Sequence, residues 1–253
     1  MAFPDEFRLD GQVAVVTGGG RGIGEAIAHA LSEAGTAVVL AARRADEVEK
    51  VARDIAARGG RALAVPTDVT DPDAVDALAR AAVDAFGGLT IWVNNAGGSR
   101  YFGPLREITL ADWRDCLDLN LTAVLTGTNA AARHMAGGGS IVNISSRSAV
   151  GPAPGSGHYA AAKAAVNSLT VNFSRELAPS IRVNAIQPSS IPTEVVMDAL
   201  GLTEADLPAF AERKRIPLGR LGRPADVAGV TVFLCSPAAA WITGEVWTVS
   251  GGL

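Results

Sequence analysis

Short, unbroken apolar runs alternate with Ala-rich helical stretches along nearly all of this chain, and that alternation restricts the fold more than any other feature. Val13–Val16 precedes a helical stretch through Ala26 to Ala34, and Ala37–Leu40 precedes a charged one through Val48 and Ile55. Ala62–Val65 leads to a helix from about Asp73 to Phe86, followed by Leu89–Val93. Ile141–Ile144 lies between two long Ala-rich helices, Asp112 to Ala136 and Tyr159 to Ala178. Ile181–Ile186 and Val246–Val249 read as the last strands. Runs without polar alternation suit a parallel sheet buried on both faces. Strand–helix alternation with short connections then implies right-handed crossovers and an α/β, doubly wound sheet with helices on both faces. No repeat, low-complexity linker or composition break divides residues 1–253, so a single domain is expected.

Composition removes several alternatives. With 48% hydrophobic and 19% charged residues the chain has material for a core, and disorder is not expected. A formal charge of −4 gives no general attraction for nucleic acid or an anionic membrane. Cys116 and Cys235 lie far apart, and His29, His134 and His158 lack ligand spacing, so neither a disulfide framework nor a metal site is expected. The stretch Met1 to Asp10 is acidic and interrupted by Pro, unlike a signal peptide. No apolar run reaches membrane-spanning length without charges or Gly/Pro breaks. A cytoplasmic protein is the expectation.

The junction between the first strand and first helix carries chemistry. It reads Thr17-Gly18-Gly19-Gly20-Arg21-Gly22-Ile23-Gly24. Glycines admit the positive φ angles and close backbone approach that a pyrophosphate needs, and the helix N-terminus adds unpaired N–H groups. About twenty residues later, NAD enzymes place an acid for the ribose hydroxyls. This chain reads Leu40-Ala41-Ala42-Arg43-Arg44 there, with no acid and two guanidiniums. Together with Arg21 they suit the 2′-phosphate of NADP(H) better than NAD(H). The plainer alternative for Arg43 and Arg44 is a solvated start to the next helix.

Tyr159-Ala-Ala-Ala-Lys163 puts a phenol and an ammonium one helical turn apart on one face. A free Tyr titrates near ~10 and is a poor base at neutral pH. A neighbouring Lys⁺, joined by an oxidised nicotinamide, should lower that value. Ser146, on the loop upstream, can donate a hydrogen bond where charge develops on a substrate oxygen; Ser145 is the rival.

These pieces, with Asp68-Val69, Asn94-Asn95-Ala96-Gly97, Asn120, Pro188 to Thr193 and Leu221 to Pro224, make the chain resemble the short-chain dehydrogenase/reductase family, a Rossmann fold, along nearly its whole length. The resemblance implies that Tyr159 transfers the proton and Ser146 orients the carbonyl. It implies that Lys163 holds the nicotinamide ribose and that Asn120 anchors a water linking Lys163 to solvent. It places Asp68 and Val69 at the adenine, Asn95, Ala96 and Gly97 at the adenosine ribose side, and Pro188, Ile191 and Thr193 at the nicotinamide amide. Ser146 is preferred over Ser145 because its spacing to Tyr159 matches the family. Ser189 stands where the family has Gly, which costs backbone freedom, and Pro192 removes a donor.

The substrate is less legible. Gly97 to Pro104 and a lid of about 189–218 follow strand ends and are candidate walls. Val195, Val196, Met197, Leu200, Leu202, Leu207 and Phe210 make the lid apolar, either to meet a lipophilic substrate or to pack onto the body. The tail from Phe233 to Gly252 looks like hydroxysteroid dehydrogenases of the family, and 3-oxoacyl-carrier-protein reductases share the general frame. Arg100 and Arg147 flank the expected mouth and could meet an anionic tail. The expected partners are a small carbonyl or alcohol substrate and further copies of the chain in a homotetramer, since both long helices carry small residues on more than one face. The rival class is a catalytically silent NADPH-binding sensor. It has no need of Ser146, Tyr159, Lys163 and Asn120.

Overall fold

The computed structural model describes residues 5–194, 196–197 and 201–253. Seven parallel strands form one sheet: β1 (Val13–Thr17), β2 (Ala37–Ala42), β3 (Ala62–Pro66), β4 (Ile91–Asn94), β5 (Gly139–Ile144), β6 (Ile181–Pro188) and β7 (Val246–Val249). Their order is β3-β2-β1-β4-β5-β6-β7. The winding reverses between β1 and β4, and in sheets of this kind ligands bind beyond the carboxyl ends of the strands at that point.

Alternate residues of each strand serve opposite faces, as the pleat requires. Ala14 and Val16 pack with Ile27 and Leu31 of α1 (Gly22–Glu33), Val48 and Ile55 of α2 (Ala45–Ala57), and Val227 and Leu234 of α8 (Pro224–Cys235). Val13 and Val15 pack on the other face with Val75 and Leu78 of α3 (Pro72–Phe86) and Phe173 of α6 (Gly157–Glu176). All five β1 residues are buried, which explains the unbroken apolar run.

Two expectations need correction. The helix predicted from Asp112 to Ala136 is not continuous. It comprises α4 (Leu110–Leu117), a π-helical turn at Asp118–Thr122, and α5 (Ala123–His134). The wide turn carries Asn120, fully buried, whose side chain is bonded to a loop instead of lying along a helix face. In the Pro188-Ser189 segment the left-handed residue is Ser190, at φ 49°, not Ser189. Strain of that kind costs a non-Gly residue about 1–2 kcal/mol. Both neighbours of the segment hold it: Ser189 N–H donates to Val249 O (3.1 Å) and Gly222 N–H to Ser190 O (3.1 Å). A Cβ at Gly222 would stand 2.9 Å from Ile191 Cγ1, so Gly222 lets the two chain segments touch.

The described part of the lid contains a short 3-10 turn at Glu204–Asp206 and α7 (Leu207–Lys214). Val196 is exposed, and Met197, Leu202, Leu207 and Phe210 are half-buried. Val195 and Leu200 lie outside the described residues.

Candidate active site

The Gly turn begins where β1 ends. Gly18 and Gly22 have φ of 65° and 59°, values that favour glycine, and a Cβ at Gly24 would collide with the Gly18 carbonyl oxygen. Arg21 is the N-cap of α1 but makes no side-chain capping bond, so no side chain closes the helix start to an anion. The donor set and the tight glycine cradle fit a dinucleotide pyrophosphate. Ile23 is packed on the core beneath the turn.

Thr17 and Asn95 tie this turn to β4. Thr17 Oγ1 accepts the N–H groups of Asn95 (3.0 Å) and Ala96 (3.1 Å), and donates to Val93 O (3.2 Å). Asn95 Nδ2 donates to Thr17 O (2.9 Å) and Gly18 O (3.2 Å). The Asn95 amide group is therefore a brace for the turn. Gly97, expected on the adenosine side, lies at the opposite end: a Cβ there would be 2.8 Å from Asn120 Oδ1 and 3.3 Å from Lys163 Nζ.

The three arginines at the adenosine end are not equivalent. Arg44 is ion-paired with Glu47, whose side chain lies against Gly20. Arg21 Nη1 stands 3.5 Å from Glu194 Oε2 on the lid. Arg43 makes no ion pair among the described residues, and it faces Asp68. Hydrogen bonds from the Thr70 N–H and hydroxyl, helped by the Arg43 charge, hold the Asp68 carboxyl below the usual carboxylate range. Val69, next to it, is buried with β1 and β2 residues. At the other end Ile191 is buried, and Thr193 Cγ2 would be 3.3 Å from a Cβ at Gly22, so the start of the lid lies over the turn.

Tyr159 and Lys163 lie in the first turns of α6. Lys163 is 2% exposed, and its Nζ donates to Ile144 O (2.8 Å) at the end of β5. Burial lowers its pKa to about 8. The phenol of Tyr159 is pushed up to about 12 by burial, against a hydrogen bond from Ser146 that favours the phenolate. Among the protein's own groups burial thus dominates, while the expected lowering of the phenol was tied to an oxidised nicotinamide bound beside it. Lys163 Nζ stands 5.7 Å from the Tyr159 ring centroid, with its hydrogen bond directed at Ile144 O.

The serines separate cleanly. Ser145 is buried and donates to Lys163 O (3.2 Å), whereas Ser146 is bonded to Tyr159. Asn120 spends both amide protons on Gly98 O (2.7 Å) and Cys116 O (2.9 Å), and its Oδ1 accepts Gly98 N–H (2.9 Å). It fixes the β4 loop against the π-turn, and its amide protons are not free to hold a water.

Several participants escape the sequence reading. Asn94, part of the motif that carries the resemblance, donates to Asn143 across β4 and β5 (2.9 Å), and Asn143, unforeseen, donates to Thr170 Oγ1 of α6 (3.0 Å). Amides inside otherwise apolar strands were the available signal, because a buried amide requires partners. His158 Nε2 lies 2.6 Å from Ser99 Oγ, and Ser148 bonds to Ser146. Neither contact leaves a trace in spacing.

Comparison with known proteins settles the family. The model described as enoyl-(acyl carrier protein) reductase matches residues 18–253. A short-chain dehydrogenase/reductase from Serratia marcescens superposes with a TM-score of 0.88 at 38% identity, covering 96% of this chain and 98% of that one. The chain belongs to the short-chain dehydrogenase/reductase family. A solved 7α-hydroxysteroid dehydrogenase in complex with NADH and 7-oxo glycochenodeoxycholic acid gives a TM-score of 0.92 at 37% identity, covering 100% and 98%. A 3-oxoacyl-[acyl-carrier-protein] reductase of Synechocystis is 41% identical over 97% of this chain and 98% of its own length. As a short-chain dehydrogenase/reductase the chain is an oxidoreductase, and no helix among its described residues is long and apolar enough to cross a membrane.

Proposed function

We propose that this oxidoreductase interconverts a carbonyl and a secondary alcohol with NADP(H), using Tyr159 as acid and base. The observation that carries the reading is the buried Lys163, one turn from Tyr159 on α6 and bonded to Ile144 O at the end of β5, where Ser146 follows and favours the phenolate. In reduction Tyr159 gives its proton to the substrate oxygen while Ser146 donates a hydrogen bond to that oxygen. In oxidation the phenolate takes the alcohol proton. Lys163 binds through its ammonium and favours the phenolate. A bound nicotinamide would supply or accept the hydride at the substrate carbon.

NADP(H) is favoured because Ala42 leaves no acid at the end of β2 and Arg43 is unpaired among the described residues. The ion pairs of Arg44 and Arg21 with Glu47 and Glu194 favour the rival, NAD(H), as does the NADH bound to the hydroxysteroid relative. A lipophilic substrate of hydroxysteroid or 3-oxoacyl type is supported by the half-exposed apolar residues of the lid, about 189–218, and by Phe102 and Val150, which are 50% and 57% exposed. A homotetramer is supported by Leu110, Leu125 and Val171 on α4, α5 and α6 and by a fully exposed Trp241 near edge strand β7. Light scattering should give four chains at micromolar concentration, and a stable monomer refutes that. Both cysteines are free, which suits the cytoplasm.

The test is a steady-state screen of ketones and alcohols, including 7-oxo steroids and 3-oxoacyl thioesters, with NADPH and NADH in parallel. Turnover with NADPH preferred is expected. A clear NADH preference overturns the cofactor reading, and cofactor binding without any turnover favours the silent sensor.

A further inference from the structure

Ser148 is assigned no part by the pattern that singles out Ser146, Tyr159 and Lys163, yet its hydrogen bonds touch the reacting group. Ser146 is extended (φ −157°, ψ 149°) and caps the short 3-10 turn Arg147–Val150. Its Oγ accepts the Ser148 N–H at 3.2 Å and the Ser148 hydroxyl at 2.8 Å. A serine hydroxyl has two lone pairs and one proton. With two donors already directed at Ser146 Oγ, the one role left to it is to give its own proton. That proton is available to the Tyr159 phenol, whose ionised form Ser146 favours.

We infer that Ser148 is a positioning residue that polarises Ser146, holding its hydroxyl as a donor toward the Tyr159 oxygen or, once substrate is bound, toward the substrate oxygen. The inference rests on the acid/base reading of Tyr159 given above. Two consequences follow. A hydroxyl that accepts while it donates is a stronger donor, since chained hydrogen bonds polarise one another. A fixed donor also stabilises the phenolate more than a rotor that spends part of its time as an acceptor. Facing the phenol besides Ser146 are Lys163 of the same helix and Cys116 of α4. The hydrogen bonds of Ser148 go to Ser146 and not to either of these groups.

The experiment compares Ser148→Ala, Ser148→Cys and Ser148→Thr with the parent. Ala and Cys keep the backbone N–H bond but remove the good donor, and Thr restores it. Ala and Cys should lower kcat about three- to tenfold, with cofactor Kd (measured by nucleotide fluorescence) unchanged. The ascending limb of the oxidation pH profile, where the phenol loses its proton, should also move to higher pH, because the phenolate loses support. Thr should return both toward the parent. A second readout does not need turnover. The chain has two tyrosines, so in Tyr101→Phe protein saturated with oxidised cofactor the near-ultraviolet phenolate signal belongs to Tyr159 alone. Its titration should shift upward in the Ser148→Ala version. Parent-like kcat and titration in Ala and Cys overturn the inference. So does a slower Ala variant whose titration is unmoved and which Thr does not rescue, since that is a merely structural loss. Tyr159→Phe in the same series separates the two ideas: if it keeps parent activity the acid/base reading fails, and if it is inert while Ser148→Ala is parent-like only the Ser148 inference fails.

Discussion

The Tyr159–Lys163 corner and the Arg21–Arg44 corner, to which the proposed function gives proton transfer and the adenosine, are built in opposite ways. At the first, Lys163 and Asn120 are 2% and 0% exposed, and each is bonded to the main chain at a strand end or loop. At the second, the Arg21 and Arg44 side chains are 39% and 54% exposed and are held by carboxylates on flexible stems. Exposed ion pairs of that sort contribute about 0–1 kcal/mol, while a buried polar group that loses its partner costs about 1–3 kcal/mol. On the proposed function, the chemistry is therefore set by packing and resists change, whereas cofactor choice rests on a few exposed charges and can drift.

The largest test of that contrast is Tyr159→Phe. The ring still packs in α6, but the proton donor is lost, and positioned acid/base groups contribute roughly 10²–10⁴-fold. Turnover should fall by that factor in a steady-state assay with cofactor Kd preserved. A variant that keeps most of the parent rate places the proton elsewhere.

Lys163 sharpens the contrast through stability. Its folded pKa of about 8 lies below the ordinary lysine value of 10.5, so between those values the unfolded chain holds a proton that the folded chain has lost. This group therefore makes stability rise with pH across that window, and its cost is felt in full below about pH 8. At 1.36 kcal/mol per pKa unit the cost is on the order of 3 kcal/mol at most. Lys163→Met should be inactive yet more stable than the parent at pH 7, by about 1–3 kcal/mol in urea unfolding, with the gain shrinking toward pH 10. Equal stability at both pH values would mean that the ammonium is not strained by burial.

The adenosine corner should respond to single charges. Arg43→Ala should weaken NADPH relative to NADH by roughly ten- to a hundredfold, and Ala42→Asp by more, since it adds a ribose acceptor and repels the phosphate. The ratio of the two Michaelis constants reads it directly. If Arg43→Ala leaves that ratio alone, the 2′-phosphate is not held there.

What could be read from the chain follows the same division. The strands were legible because burial on both faces demands unbroken apolar runs, and β1 is buried throughout. Tyr159, Lys163 and the Gly turn were legible because helical spacing and backbone sterics constrain them locally. The π-turn at Asn120 was not, because it is selected by a loop 22 residues away in sequence, through Gly98. Ser148 and Ser145 differ only in where their hydroxyls point, toward Ser146 and toward Lys163 O, and sequence carries no such information. The desolvation that raises the phenol's pKa is equally illegible, because spacing reveals the lysine one turn away but burial is a property of the assembled fold.

The smallest effect falls on Arg21. Its partner Glu194 is 77% exposed at 3.5 Å, so the pair competes weakly with any phosphate for the same guanidinium. Glu194→Ala frees Arg21 and removes a negative charge from the neighbourhood of the Gly turn. NADPH should bind about two- to fivefold more tightly at low salt, and NADH should change less, because it offers no 2′-phosphate. Raising the salt to about 0.5 M should erase the difference, since the Debye length then falls to a few ångströms. Calorimetric Kd values for both cofactors at two salt concentrations make the measurement. Equal tightening of NADPH and NADH would trace the effect to a loosened lid over Gly22, where Thr193 lies, and would remove Arg21 from the set of groups that choose the cofactor.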